Sequence, residues 1–217
     1  MVRGRGYRPV AIPVNELAPL LDKVRVDARL RQLDQVAVIE FLAATGCRIG
    51  EVLGLGWEAI DFDANRVTFR NNVVRAKGQG ILLQDHMKTK AGTRTTSAPA
   101  SLIDMLRDRR NNYTVHNDFG LVFPTVRGNI RDPRNTSRGW RDARTRLGYP
   151  NVTTHSFRKT VATALDLAGL SARDVAEYLG QANPSITQDV YMSKTAGGTR
   201  AAEALSEIVG PDLKVRG

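Results

Sequence analysis

The sequence predicts an α+β fold, mostly helical, with a small antiparallel sheet. Amphipathic runs of helical period occupy most of the chain. After Asp61 the period changes: Arg66-Val67-Thr68-Phe69-Arg70 alternates, and Asp63-Ala64-Asn65 offers a turn before it. Val73-Val74 and Ile81-Leu82-Leu83 read as a continuation of that sheet.

Residues 1–9 are rich in Gly and Arg, end at Pro9 and read as a flexible linker. From Val14 to Val26, Leu17, Leu20, Leu21 and Val24 mark one helix. From Leu33 to Thr45, Val36, Ile39, Phe41, Leu42 and Ala43 mark another, apolar over most of its circumference and therefore buried. Gly46 stops it, and Cys47-Arg48-Ile49-Gly50-Glu51-Val52-Leu53 starts the next. A cation at a helix N-terminus opposes the dipole, so Arg48 needs an anionic partner. Glu51 supplies it, either as an ordinary ion pair or as part of a site; the local pattern alone favours the ion pair.

His86 to Thr95 reads as a hairpin with Ala91-Gly92 near its tip and cations on both arms, among them Lys88, Lys90 and Arg94. It is too polar for core. It is either a solvated loop or a basic finger reaching a nucleic-acid backbone, with Lys88 able to enter a site. Pro99 to Asn111 is a helix on Leu102, Ile103 and Leu106, with Arg107, Arg109 and Arg110 at the end where the dipole favours them. Gly120 to Pro124 is a short strand or turn. Asn129 to Gly148 carries Arg131, Arg134, Arg138, Arg141, Arg144 and Arg146 around Trp140, and is either a solvated face or a helix facing a groove.

Thr153 precedes Phe157, Val161, Ala164, Leu165 and Ala168 as an N-cap, and Gly169 follows as the C-cap glycine. Ser171 with Asp174 makes a capping box for a second helix, Leu170 and Val175 form its staple, and Gly180 ends it. Gln181 to Tyr191 begins as a loop broken at Pro184. Ala201 to Val209, with Ala204, Leu205 and Ile208, reads as a short detachable tail helix.

The 217 residues, 41% of them hydrophobic, can bury a core as one large domain or two small ones. A net charge of +10 and a pI near 10.2 call for a polyanionic partner, nucleic acid being the simplest. The single cysteine, Cys47, excludes an internal disulfide framework and fits a reducing compartment. No apolar leader and no run long enough to span a bilayer occur, so a cytoplasmic protein is expected. His86, His116 and His155 match no metal-ligand spacing, and neither metal nor cofactor is expected.

His155 and Arg158 lie three apart in the first turn of a helix, away from its apolar stripe, where free N–H groups already attract an anion. They form a phosphate-binding corner. Whether Tyr191 is core or nucleophile stays open on the residues alone.

Taken in order, Thr45-Gly46-Cys47-Arg48-Ile49-Gly50-Glu51-Val52-Leu53, Lys88-Thr89-Lys90, His155-Ser156-Phe157-Arg158-Lys159-Thr160, Leu179-Gly180-Gln181 and Tyr191 resemble the tyrosine recombinases, the phage integrases and their relatives. The resemblance runs from about Val14 to the tail. It implies a mostly helical catalytic domain over residues 10–200, with a three-stranded antiparallel sheet on one edge, between the linker 1–9 and a tail 201–217 that is passed between protomers of a homotetramer. It implies cleavage and rejoining of DNA through a covalent 3′-phosphotyrosine, without metal or ATP, at double-stranded attachment sites in a bacterial host cell.

In that family's terms Arg48 and Arg158 clamp the phosphate, Lys88 is the general acid, His155 binds phosphate or acts as base, and Tyr191 is the nucleophile. Glu51 orients Arg48, while Lys90, Arg94, Arg138 and Arg141 contact DNA. Two departures stand out. Gln181 replaces a usual histidine, keeping a hydrogen-bond donor but losing a titratable group. An N-terminal DNA-clamping domain does not precede the match, and the linker-like start favours a fragment over a short recombinase. A non-catalytic DNA-binding relic and a type IB topoisomerase-like enzyme are the alternative readings.

Overall fold

The computed structural model describes residues 10–85 and 93–180, and 202–203 and 205–206 within the tail. The elements in chain order are α1 (Val14–Val26), α2 (Ala28–Gln32), α3 (Val36–Thr45), α4 (Ile49–Leu53), β1 (Ile60–Asp61), β2 (Arg66–Phe69), β3 (Asn71–Ala76), β4 (Gly80–Asp85), β5 (Arg94–Ser97), α5 (Ala100–Asn112), α6 (Pro133–Arg146), α7 (Thr154–Leu167) and α8 (Ala172–Leu179). The predicted α+β class, mostly helical, holds. Among the described residues no helix is long and apolar enough to cross a membrane.

α3 is the axis of the fold. Every residue from Ala37 to Thr45 is buried, as befits a helix apolar over most of its circumference, and its buried Glu40 accepts from Arg25 Nε at 2.7 Å. Its Phe41 ring meets Phe69 of β2 at 6.2 Å and Phe123 at 5.5 Å, both edge-to-face. α1 presents Leu17, Leu20, Leu21 and Val24 to the same core. A second, smaller cluster joins Val161 and Leu165 of α7 to Leu170, Tyr178 and Leu179, and it includes Leu205 of the tail. The segment read as detachable therefore docks an apolar side chain on its own chain.

Helix starts follow their capping chemistry. The Asp27 carboxylate accepts from Leu30 N at 2.8 Å and begins α2, a short helix between the two that the sequence pattern marks. Thr153 Oγ1 accepts from Ser156 N at 3.2 Å, Ser156 Oγ accepts from Thr153 N at 3.0 Å, and α7 starts there. Ser171 and Asp174 exchange the same pair of bonds at the head of α8.

The antiparallel sheet has order β1-β2-β5, with Val67 opposite Thr96 and Phe69 opposite Arg94. Val73-Val74 and Ile81-Leu82-Leu83 do not continue that sheet as expected: among the described residues β3 and β4 pair only with each other, as a separate two-stranded ribbon. The ribbon lies on α4 instead. A Cβ on Gly50 would stand 2.6 Å from Val73 O, so glycine at this position lets the two backbones touch. The strands flanking residues 86–92 thus belong to different sheets, β4 to the ribbon and β5 to the three-stranded sheet.

The arginine-rich stretch divides by burial. Arg131 is buried, donating to Phe123 O, Leu33 O and the Asp34 carboxylate, which also takes a two-pronged contact from Arg109. Arg144 donates to Val152 O and Arg146 to Asp27. Trp140 is 1% exposed and gives its Nε1–H to Val152 O, so the aromatic of this stretch is core. Arg134, Arg138 and Arg141 remain on the exposed face of α6.

Candidate active site

Two helix starts build the site. α3 ends at Gly46, whose φ of +62° makes the left-handed turn, and the chain passes through buried Cys47 to Arg48, the residue that caps α4. Burial, then the Glu51 charge, pushes the Cys47 thiol up to about 12, which leaves it inert. Glu51 answers the electrostatic demand that Arg48 makes. Its Oε2 accepts from Arg48 N at 2.7 Å and its Oε1 from Arg48 Nη1 at 3.0 Å.

A second arginine shares that carboxylate. Arg94, on β5, donates Nη1 to Oε1 at 2.9 Å and Nη2 to Oε2 at 3.0 Å. Burial alone would raise the Glu51 carboxyl, but the Arg94 hydrogen bonds and charge, with Arg48 behind them, hold it down at about 2. The sequence placed Arg94 among the DNA contacts of a surface finger; the structure turns it inward onto Glu51. Strand period carries the signal: Arg94 shares its face of β5 with buried Thr96, and a charge on an inward face needs a counter-ion.

α7 supplies the other half. Arg158 is 4% exposed and spans two helix ends, donating Nη1 to Gly46 O at 3.0 Å and Nη2 to Leu179 O at 2.7 Å. A cation between the C-termini of α3 and α8 meets the negative ends of both dipoles. Burial, followed by the charge of Arg48, nonetheless lowers it to about 10. Arg48 Nη2 reaches Gly180 O at 3.4 Å, so the two arginines grip consecutive carbonyls where α8 ends. His155 is exposed one turn before, and burial of its ring together with the charges of Arg158, Lys159 and Arg48 lowers its pKa. Arg48, Glu51, Arg94, His155 and Arg158 form one electrostatic cluster.

Lys88, Lys90, Gln181 and Tyr191 lie outside the described residues. Tyr178 is packing: it is buried, with its hydroxyl on Ser97 O at 3.3 Å. Arg138 and Arg141 line, with Arg134, Ser137 and Ile49, a surface cleft of about 400 Å³ that runs from the start of α4 along α6. Arg134 also borders a neighbouring cleft of about 410 Å³ with Arg75 and Lys77 of the ribbon. Among the described residues no group of three His, Cys, Asp or Glu is arranged to hold a metal ion.

Known proteins resemble this chain in sequence and in fold. The phage integrase family model matches residues 12–197. A tyrosine recombinase XerC-like protein of Caldanaerobacter subterraneus subsp. tengcongensis is 30% identical over 207 residues, covering 87% of this chain and 52% of that protein. The integrase of Mycobacterium phage D29 is 23% identical, over 79% of this chain and 46% of its own length. In structure, the Tn1549 transposon integrase in complex with a circular intermediate DNA superposes with a TM-score of 0.75 at 17% identity, over 85% of this chain and 61% of that one, and shares the fold. This is the catalytic-domain fold of a tyrosine recombinase. The chain belongs to the phage integrase family. It spans about half the length of the curated relatives it matches.

Proposed function

We propose that this chain is the catalytic domain of a site-specific DNA recombinase that cuts and rejoins strands through a covalent 3′-phosphotyrosine. The observation that carries the reading is the pairing of Arg48 and Arg158 at the end of α8, two guanidinium groups, one from the turn before α4 and one from α7, that reach the consecutive carbonyls Gly180 O and Leu179 O. Cations that crowd one another at a water-accessible corner stabilise an anion placed between them.

In this reading the Tyr191 phenolic oxygen attacks the scissile phosphorus, a bond forms from that oxygen to phosphorus, and the bond to the 5′-oxygen breaks. Arg48 and Arg158 hold the non-bridging oxygens as charge builds on them. Lys88 gives its proton to the departing 5′-oxygen, while His155, whose lowered pKa favours the neutral ring, hydrogen-bonds the phosphate or takes the tyrosine proton. Gln181 donates a hydrogen bond where a histidine would otherwise stand. Attack by a 5′-hydroxyl of the second duplex reverses the step and seals the new strand, so neither metal nor ATP enters.

Double-stranded DNA lies against the exposed arginines of α6, with Arg138 and Arg141 on phosphates and Lys90 on the strand near Lys88. Residues 10–200 act as the catalytic domain, 1–9 as a linker to a DNA-clamping domain, and 201–217 as a tail exchanged in a homotetramer that works on DNA in the cytoplasm. The greater length of the relatives supports the additional domain.

The test is a pool of nicked duplexes tiled across the DNA that flanks the gene, incubated with the chain and with a version extended by the preceding coding sequence. A covalent protein–DNA adduct is expected, resistant to denaturant and lost in Tyr191→Phe. Absence of any adduct from the extended protein on every duplex sinks the recombinase reading.

A further inference from the structure

Arg94 stands where three parts of the site meet. It sits cross-strand from Phe69, whose ring centre is 4.3 Å from the guanidinium carbon. Both prongs of its fork hold Glu51, and its stem runs against Gly180, where an added Cβ would lie 2.6 Å from Arg94 Cδ. Only 13% of the Arg94 side chain is exposed, against 51% for Arg48.

The division of labour around Glu51 is uneven. Arg94 gives two parallel charge-assisted bonds, one to each oxygen; Arg48 gives one side-chain bond and its backbone N–H. A buried carboxylate facing a single arginine draws that fork into a two-pronged pair and spends its charge. Here Arg94 already occupies that geometry. Arg48 is left oriented by Glu51 yet half-exposed.

We infer that Arg94 is a positioning residue that neutralises Glu51, so that the carboxylate orients Arg48 without consuming its charge. What Arg48 then binds, a DNA phosphate, rests on the function proposed above; the relay from Arg94 through Glu51 to Arg48 does not. Removing Arg94 hands Glu51 to Arg48, and removing the Glu51 charge as well releases Arg48 again.

Four proteins test this: wild type, Arg94→Gln, Arg94→Lys, and Arg94→Gln combined with Glu51→Gln, each checked for folding by its melting curve. The first readout is the rotation rate of the Arg48 guanidinium, measured by nitrogen-15 NMR of the free protein. It is expected to slow in Arg94→Gln, to be intermediate in Arg94→Lys, and to rise again above the Arg94→Gln rate in the double variant, where no carboxylate holds the guanidinium. The second is the rate of adduct formation on a nicked duplex at saturating DNA, expected to fall about tenfold in Arg94→Gln with unchanged DNA affinity and to recover in part in the double variant, which frees the Arg48 charge but lacks the carboxylate that orients it.

An Arg94 that touches DNA would lose affinity and gain nothing from Glu51→Gln, and a merely structural Arg94 would not be rescued either; either result overturns the inference. So does an Arg48 rotation rate that ignores Arg94. Absence of adduct from the wild type and from its extended version alike counts against the recombinase reading, and the NMR comparison still decides the relay. If Arg94→Gln does not fold, Arg94→Lys in both readouts takes its place.

Discussion

Arg48 and Arg158 hold consecutive carbonyl oxygens at the end of α8: Arg158 Nη2 takes Leu179 O at 2.7 Å, and Arg48 Nη2 takes Gly180 O at 3.4 Å. The two side chains arise from different elements, α7 and the turn before α4. The end of α8 is therefore held by a cation from each side.

Arg158→Met tests how much of the domain hangs on that contact. The methionine fills much of the volume but leaves Gly46 O and Leu179 O without their donor in a buried place. The expected loss is about 2–5 kcal/mol of unfolding free energy, read from urea denaturation with an unchanged m-value.

Acid should weaken the domain through Glu51. Its folded pKa of about 2 lies below the ordinary 4.5, so the unfolded chain binds the proton more readily. The stabilisation, of order 3 kcal/mol, is fully present above about pH 4.5 and is lost as the pH falls toward 2. Stability measured between these limits should drop in the wild type and stay flatter in Glu51→Gln.

Gly180→Ala should be costly despite the small change. The residue has φ +64° and an added Cβ would meet the Arg94 stem at 2.6 Å. Backbone strain and displacement of Arg94 together predict about 1–3 kcal/mol, visible as a lower Tm. Gly169→Ala, with φ +80° and nothing within 4 Å, carries the backbone term alone and should lose less.

Trp140 offers a test of core against surface. Trp140→Ala opens a cavity in the main core and should cost about 3–5 kcal/mol. Trp140→Phe should cost less, because Val152 O keeps its bond from Arg144 Nη1 at 2.8 Å after losing the indole N–H. Chemical denaturation of both variants checks the order.

The α6 face should report on DNA through salt. Arg138→Ala with Arg141→Ala removes two exposed cations that line the cleft beside Ile49. The slope of log affinity against log salt is expected to flatten by about two, with no loss of Tm; an unchanged slope places DNA elsewhere.

Much of this protein was legible in its residues. Periodicity gave α1 from Val14 to Val26, the buried character of α3, and the caps at Thr153 and Ser171, since these depend on side chains within one turn. The Arg48–Glu51 pair is likewise local, three residues apart. Sequence did not separate the ribbon β3–β4 from the sheet, because alternation fixes which face of a strand is buried and not which strand it pairs with. It also placed Arg94 on a DNA-facing finger, since its partner is forty-three residues away. Only the tertiary structure could bring that arginine onto Glu51, split the arginines of residues 131–146 into buried and exposed sets, and set Arg158 between the ends of α3 and α8. Charge tells that a cation needs a partner; only packing decides which one it finds.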